Sequence, residues 1–107
     1  MTSPADRGVL PDFASQVLDV ADSIPPGRVM SYGAIAEYLG QGGPRQVGSV
    51  MSHHGGAVPW HRVVAANGRV VPGHEQEALR RLRGEGTPLR GDHVDMKKAA
   101  WYPGLQH

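Results

Sequence analysis

The sequence contains no cysteine among its 107 residues. This absence excludes disulfide bonds, thiolate metal sites and cysteine nucleophiles. The chain also lacks an apolar run of the roughly 20 residues that a transmembrane helix needs. Its N-terminus does not have the charged and then apolar layout of a secretory signal peptide. We therefore expect a protein of the cytoplasm, or of the nucleus if the source is a eukaryote, with no membrane partner.

The chain also carries little net charge. The formal net charge is +1 at pH 7, so the molecule as a whole is not a strong polyanion binder. Most of its 11 basic residues are arginines, which suit planar contacts to phosphates and base edges. The length fits one small domain. We expect a frayed N-terminus at 1–10, a folded domain at 11–88 and a tail at 89–107 that docks on the domain through Val94, Met96, Trp101 and Tyr102.

The spacing of apolar residues predicts three helices in the first half of the chain. The first spans residues 11–24, where apolar side chains recur every three or four positions. The second spans 32–39, with Ser31 as its N-cap and Gly40 as a left-handed stop. The third starts at Pro44 and runs to about residue 53. Two short helices joined by a glycine-containing turn are typical of a helix-turn-helix.

The second half predicts a β-hairpin and one more helix. Residues 62–65 and 69–71 are rich in β-branched side chains and flank Asn67-Gly68, a strong hairpin turn signal. Residues 74–83 form the fourth helix, with its arginines turned outward. Together these elements predict a small α+β fold, in which a winged-helix-like helix-turn-helix packs beside a short β-hairpin.

Four motifs, in chain order, resemble those of the O6-alkylguanine-DNA alkyltransferases. Residues 59–64 (PWHRVV) are similar to the PCHRV active-site motif of that family. Residues 27–32 (GRVMSY) resemble the entry to its helix-turn-helix, and residues 44–51 (PRQVGSVM) resemble its recognition helix. Glu85-Gly86 follows a helix, as in the family. The resemblance covers residues 12–88, and tryptophan in place of the family's cysteine points to its non-enzymatic alkyltransferase-like members.

The resemblance implies a DNA-binding surface on the helix-turn-helix. In the family, the tyrosine at position 32 crowds the phosphate of the target nucleotide and helps to rotate that nucleotide out of the stack. The arginine at position 45 enters the duplex through the minor groove and fills the gap left behind. Small residues on the recognition helix permit close approach to the groove. The implied DNA-binding residues are Tyr32, Gly33, Pro44, Arg45, Gln46, Gly48, Ser49 and Ser52.

The resemblance also implies a pocket for a flipped base. Trp60 stands where the enzymes have the attacking sulfur, and its indole offers a flat apolar wall but no nucleophile suited to dealkylation. Gly73 replaces an aromatic lid residue of the enzymes, and the neighbouring His74 substitutes for it in part, which predicts a more open pocket. The implied pocket residues are Tyr32, Trp60, His61, Val63, Gly73 and His74.

His61 and Glu85 match two members of the relay that activates the family's cysteine. With no thiol to activate, we expect a structural hydrogen bond between them. The predicted function is therefore recognition of O6-alkylguanine in double-stranded DNA by nucleotide flipping, without alkyl transfer. The lesion would be marked for nucleotide excision repair. We expect a monomer, associated with the nucleoid in a bacterium, that needs no cofactor.

Three other functions compete with this one. A sequence-specific transcriptional regulator is the strongest, because many such proteins use a helix-turn-helix. A metal site built from His53, His54, His61 and His74 matches no zinc-ligand spacing. A hydrolase has no Ser-His-Asp signature here, since Ser31 is better explained as a helix cap and Ser52 as a surface residue.

Overall fold

The computed structural model describes residues 12–104, so the frayed N-terminus predicted for 1–10 lies outside the described residues. The elements follow one another in the order α1 (Phe13–Ser23), β1 (Met30–Ser31), α2 (Tyr32–Leu39), α3 (Pro44–His54), β2 (Val63–Val64), α4 (Glu75–Gly84), β3 (Leu89–Arg90), β4 (His93–Val94) and α5 (Met96–Ala99). Two 3-10 turns, Gly55–Ala57 and Trp60–Arg62, connect α3 to β2. The architecture is a small α+β fold, as predicted.

The first helix forms because its apolar residues recur on one face. Phe13, Val17, Val20 and Ala21 are buried, and this face packs against both α2 and α3. The hydroxyl of Ser23 donates a hydrogen bond to the Val20 carbonyl at 2.6 Å in the last turn. The chain then leaves the helix at Pro25-Pro26, where proline disfavours a further turn. The predicted helix is confirmed, with ends one or two residues inside the expected range.

The helix-turn-helix is confirmed, together with the local signals that predicted it. The Ser31 hydroxyl accepts a hydrogen bond from the Ala34 N–H at 3.0 Å, and Gly40 ends α2 in the left-handed region at φ 71°. Pro44 occupies the first turn of α3. The Gln46 side chain accepts from the Gly43 N–H at 2.9 Å, which satisfies one of the free donors at this helix start.

The hairpin prediction was wrong in its pairing. The turn at Asn67-Gly68 does form, because the Gly68 N–H bonds the Ala65 carbonyl at 2.8 Å and the Ala65 N–H bonds the Arg69 carbonyl at 2.9 Å. However, β2 pairs in parallel with β1, and Arg69 makes an isolated bridge to His93. A parallel partner from thirty residues upstream leaves no periodic signal in the sequence around β2.

The antiparallel hairpin of the fold lies in the segment that was predicted to be a polar tail. It is formed by β3 and β4, with Leu89 opposite Val94. The Val94 N–H donates to the Gly68 carbonyl at 2.9 Å, and a Cβ on Gly68 would lie 2.3 Å from the Val94 carbonyl oxygen. The turn at Asn67-Gly68 is therefore a packing surface for this hairpin rather than the tip of a free one.

Two clusters of buried side chains form the core, and β2 separates them. Val63 belongs to the cluster made with α1, α2 and α3, while Val64 belongs to the cluster made with α4 and the C-terminal segment. Successive residues of a strand point to opposite faces, so each valine serves a different cluster. Val94 and Ala99 are buried in the second cluster, which makes the C-terminal segment part of the core. Within residues 12–104, no helix has both the length and the apolar character needed to cross a membrane.

Candidate nucleic-acid interface

A cavity of about 380 Å³ opens beside α3. This volume is within the range of pockets that bind small molecules. Its walls come from the start of α2, one face of α3, the two 3-10 turns and the segment that enters α4. The lining residues are Tyr32, Gly48, Met51, Ser52, Gly55, Gly56, Trp60, Val71, Pro72 and His74.

Trp60 is half-buried, between the second core cluster and the cavity. The rings of His61 and His74 meet the indole in edge contacts, with centroids 6.0 and 5.9 Å away. The guanidinium of Arg81 lies over the indole ring, 5.3 Å from its centroid. The indole is thus held on several sides and still contributes an apolar surface to the cavity.

Tyr32, the first residue of α2, lines the same cavity. Burial of the ring raises the pKa of its hydroxyl above the ordinary value of 10.0. The phenol therefore keeps its proton at neutral pH and remains available as a hydrogen-bond donor to an anion such as a phosphate.

Behind Trp60, three side chains form a hydrogen-bonded network. The Nε2 atom of His61 lies 2.8 Å from Glu85 Oε2, and His61 is only 5% exposed. Because an ionised carboxylate only accepts hydrogen bonds, Nε2 carries the proton in this contact. Arg62 donates to both carboxylate oxygens of Glu85, at 3.0 and 2.7 Å, and also to the Ile24 carbonyl at 2.8 Å. The network joins the ends of α1 and α4 beneath the cavity.

The network strongly favours the ionised form of Glu85. Desolvation by burial is the largest single influence and raises the pKa of the carboxyl. The hydrogen bonds from Arg62 and His61, together with their charges, outweigh it and lower the pKa of Glu85 to about 2. The resemblance identified His61 and Glu85, whereas for Arg62 the sequence does not choose between buttressing the helix-turn-helix and facing solvent. The structure places Arg62 as the residue that links Glu85 to α1.

The outward face of α3 is formed by Arg45, Gly48, Ser49 and Ser52. Gly48 and Ser49 lie three and four positions after Arg45, and Ser52 lies three positions after Ser49, so the four residues share one side of the helix, while Val47 is buried on the other. The helix contains no acidic residue. A face of this kind, with small side chains and one exposed arginine, is suited to close contact with a polyanion.

Gly48 has no packing reason to be glycine. A Cβ built at this position would meet no atom within 4 Å among the described residues. Glycine in a helix interior costs roughly 1 kcal/mol relative to alanine. The open space at Gly48 is part of the cavity, and no neighbour among the described residues accounts for this cost.

The family model of the 6-O-methylguanine DNA methyltransferase DNA-binding domain matches residues 12–87. This match spans more than half of the chain.

The chain belongs to this family.

Three relatives show which members of the family it resembles. Alkyltransferase-like protein 1 of Schizosaccharomyces pombe is 38% identical, over 86% of this chain and 96% of the relative. The DNA base-flipping protein of Escherichia coli is 33% identical, over 83% of this chain and 74% of the relative. The methylated-DNA–protein-cysteine methyltransferase of Methanothermobacter thermautotrophicus is 32% identical, over 83% of this chain and 52% of the relative.

The fold is also similar to a solved complex. The crystal structure of S. pombe Atl1 bound to damaged DNA containing O6-carboxymethylguanine has a TM-score of 0.75 and 33% sequence identity to this chain. The match covers 86% of this chain and 96% of that structure. The resemblance to alkyltransferase-like proteins that the motifs predicted is confirmed.

Not every residue implied by the family resemblance lies at the cavity. Val63 is 1% exposed and packs in the core, and among the described residues it is not part of the cavity wall. Gly73 is exposed at φ 88°, between the lining residues Pro72 and His74. Gly33 lies where α2 meets α3, since a Cβ there would contact Pro44 at 3.5 Å.

Several lining residues were not predicted. The structure adds Met51, Gly55, Gly56, Val71 and Pro72 to the cavity. Met51 and Val71 had the apolar spacing of core residues, so no signal in the sequence separated them from the interior. Gly55 and Gly56 have the composition of a flexible loop, and they line this side of the cavity without contributing side chains.

Three of the histidines considered as metal ligands make other contacts within residues 12–104. His61 contacts Glu85, His74 contacts Trp60, and His53 lies 2.8 Å from the Ser49 carbonyl through its Nδ1 atom. No group of three or more potential metal-ligating side chains of histidine or acidic residues occurs within residues 12–104.

Proposed function

We propose that this protein binds double-stranded DNA containing O6-alkylguanine, holds the flipped lesion base in the cavity and does not transfer the alkyl group. The observation that carries the proposal is the indole of Trp60 in the cavity wall, at the motif position where the family's enzymes have their cysteine, in a chain without any cysteine. An aromatic face retains a base by stacking, whereas a sulfur nucleophile would dealkylate it.

The geometry supports docking through α3. The cavity opens beside the helix face that carries Arg45, Gly48 and Ser49, so a nucleotide rotated out of a duplex lying on this face would enter the cavity directly. Tyr32 lies at the cavity wall, where its protonated hydroxyl can donate to the backbone phosphate of that nucleotide. We propose that Arg45 fills the vacated position in the stack with its planar guanidinium.

The chemistry of the cavity supports retention of the flipped base without transfer of its alkyl group. The indole nitrogen is only a hydrogen-bond donor, so Trp60 has no lone pair to offer an alkyl carbon. The Nε2 atom of His61 is engaged by Glu85, and its Nδ1 atom is buried with no hydrogen-bond partner among the described residues. A buried nitrogen behind the indole cannot reach a ligand in the cavity. His61 and Glu85 therefore have a structural role.

Binding and transfer are tested in one experiment with a duplex that carries O6-methylguanine labelled in its methyl group. We expect tighter binding to the labelled duplex than to the matched undamaged duplex, with all of the label remaining in the DNA. Binding is measured by fluorescence anisotropy and label on the protein by filter counting. Stoichiometric labelling of the protein would contradict the absence of transfer. Equal affinity for both duplexes would favour the transcriptional regulator.

A protein that binds a lesion and leaves it chemically intact contributes to repair only by presenting it to another system. We propose that the partner is the nucleotide excision repair machinery, because that machinery removes a damaged segment whole and needs no chemistry at the alkyl group. In this mechanism the protein acts as a monomer, in the nucleoid of a bacterium or the nucleus of a eukaryote, and needs no cofactor.

Replacement of Gly48 by alanine is predicted to raise the stability of the fold and to lower the affinity for DNA. Gly48→Ala is expected to stabilise the fold by roughly 0.5–1 kcal/mol, because alanine is the better helix former and its methyl group meets no neighbour. The same methyl group would stand between α3 and the DNA. We expect both damaged and undamaged duplexes to bind about tenfold more weakly, which corresponds to roughly 1.4 kcal/mol.

Gly84→Ala is the matched control for this variant. Gly84 ends α4, lies outside the cavity and has an equally open Cβ position. It should raise stability without changing DNA affinity. The variants are compared by thermal unfolding and by anisotropy titration, and unchanged DNA binding by Gly48→Ala would show that α3 does not approach the DNA at this point.

A further inference from the structure

The guanidinium of Arg81 covers one face of the indole of Trp60. Arg81 lies on α4 and reaches 5.3 Å from the ring centroid, yet it is not part of the cavity wall within residues 12–104. Because a planar ring has two faces, a guanidinium over one of them outside the cavity leaves a single face for stacking. The sequence had suggested only that Arg81 points to solvent.

Arg81 is itself held in place by a carboxylate. Its Nε atom donates to Glu77 Oε2 at 2.6 Å, one helical turn away on α4, and the other oxygen of Glu77 accepts from Arg80. Hydrogen bonds from Arg81 and then Arg80 lower the pKa of Glu77, so this carboxylate stays ionised. The guanidinium is thereby oriented as a plane that can cover the ring.

The two histidine rings that contact the indole do not stack flat on it. His61 and His74 both meet the ring in edge geometry, at interplanar angles of 86° and 63°. Because neither histidine lies parallel to the indole, these contacts leave open which face of the ring is used for stacking. Trp60 is also only half-buried, so part of its side chain is accessible to solvent.

We propose that Arg81 is a positioning residue for lesion recognition: it covers the outer face of Trp60 and so fixes the indole with its other face toward a flipped base. This inference rests on the proposed function. It predicts that loss of Arg81 weakens the binding of damaged DNA and leaves the binding of undamaged DNA unchanged, because undamaged duplex keeps its bases stacked and does not use the indole.

The test compares Arg81→Met with Arg80→Met, both in a Trp101→Phe background in which Trp60 is the only tryptophan. Arg80 shares the Glu77 carboxylate but has no contact with Trp60, so its variant controls for the loss of one charge on α4. We expect Arg81→Met to lower the ratio of damaged to undamaged affinity three- to tenfold and to increase quenching of Trp60 fluorescence by acrylamide. Arg80→Met should change neither. Arg81→Lys keeps the charge without the plane and should restore the ratio only in part.

Three results would overturn the inference. The first is a ratio of damaged to undamaged affinity that is the same in Arg81→Met and in Arg80→Met. The second is an equal loss of affinity for both duplexes, which would make Arg81 a phosphate contact. The third is increased quenching without any change in the ratio, which would make Arg81 a shield with no part in recognition. Failure of the proposed function itself is distinguishable, because the Trp101→Phe parent would then bind both duplexes equally before any change at Arg81.

Discussion

Replacing Arg45 with alanine is expected to remove most of the preference for damaged DNA. Arg45 is exposed on the second residue of α3 and makes no hydrogen bond or ion pair with any residue in 12–104. An arginine that fills the gap in the stack stabilises only the flipped state. Its loss should lower damaged-duplex affinity by roughly 1–3 kcal/mol, or about 5- to 150-fold, on the scale of a stacking or base contact. Anisotropy titrations with both duplexes measure the change.

Three controls separate this role from a simple phosphate contact. Arg83→Ala removes another exposed arginine, from α4, and should leave the affinity ratio unchanged. Arg45→Lys should not restore the ratio, because an ammonium group cannot stack as a plane. Thermal stability should not change, since Arg45 has no folded-state partner among the described residues. Arg45→Ala could instead lower the affinity for both duplexes equally and reduce the salt dependence of binding. Arg45 would then contact a phosphate, and the flipped-base mechanism would have no side chain to fill the gap in the stack.

The parts of the fold that the sequence predicted are those determined by neighbouring residues. The start of α2 follows from Ser31, whose hydroxyl caps the helix, and its end follows from Gly40, which adopts the left-handed conformation. Pro44 marks the start of α3 for the same kind of local reason. These contacts span three or four residues, so their signals lie within a short window of sequence.

The parts that were missed depend on distant partners. Val63–Val64 is a strand by composition, but only tertiary packing decides that it pairs with Met30–Ser31 in parallel and not with the segment after Asn67-Gly68. In the same way, the Val29 N–H bonds the Ala99 carbonyl at 3.0 Å, which draws the C-terminal segment into the core. No local pattern indicates either contact.

In the candidate site, too, the residues of recognisable motifs were predicted, and the contacts with distant partners were not. The family resemblance implied that Tyr32, Trp60 and His74 line one pocket, and all three line the same cavity. The arginines were harder to place, because a sequence shows a charge but not its partner. Arg62 is joined to Glu85, Arg81 covers Trp60 and Arg45 has no partner among the described residues, although nothing in the composition distinguishes them.

The network around Glu85 predicts the largest effect on stability. Glu85→Gln is expected to destabilise the protein by about 3 kcal/mol at pH 7, the free energy equivalent of lowering the carboxyl pKa from 4.5 to about 2. The folded-state pKa lies below the unfolded one, so this stabilisation is present above pH 4.5 and is lost as the pH falls toward 2. Chemical denaturation of the wild type and Glu85→Gln across this range measures it. The gap between them should close as the pH falls.

Glu37→Gln is the matched control, because Glu37 is exposed on α2 and makes no ion pair with any described residue. It should differ little from the wild type at every pH. A gap between the wild type and Glu85→Gln that stays constant from pH 7 to pH 3 would mean that ionisation of Glu85 does not stabilise the fold. The expected result would instead explain why the relay residues are present in a chain with no thiol to activate: His61 and Arg62 hold an ionised Glu85, and through it the ends of α1 and α4, under the indole that we propose receives the base.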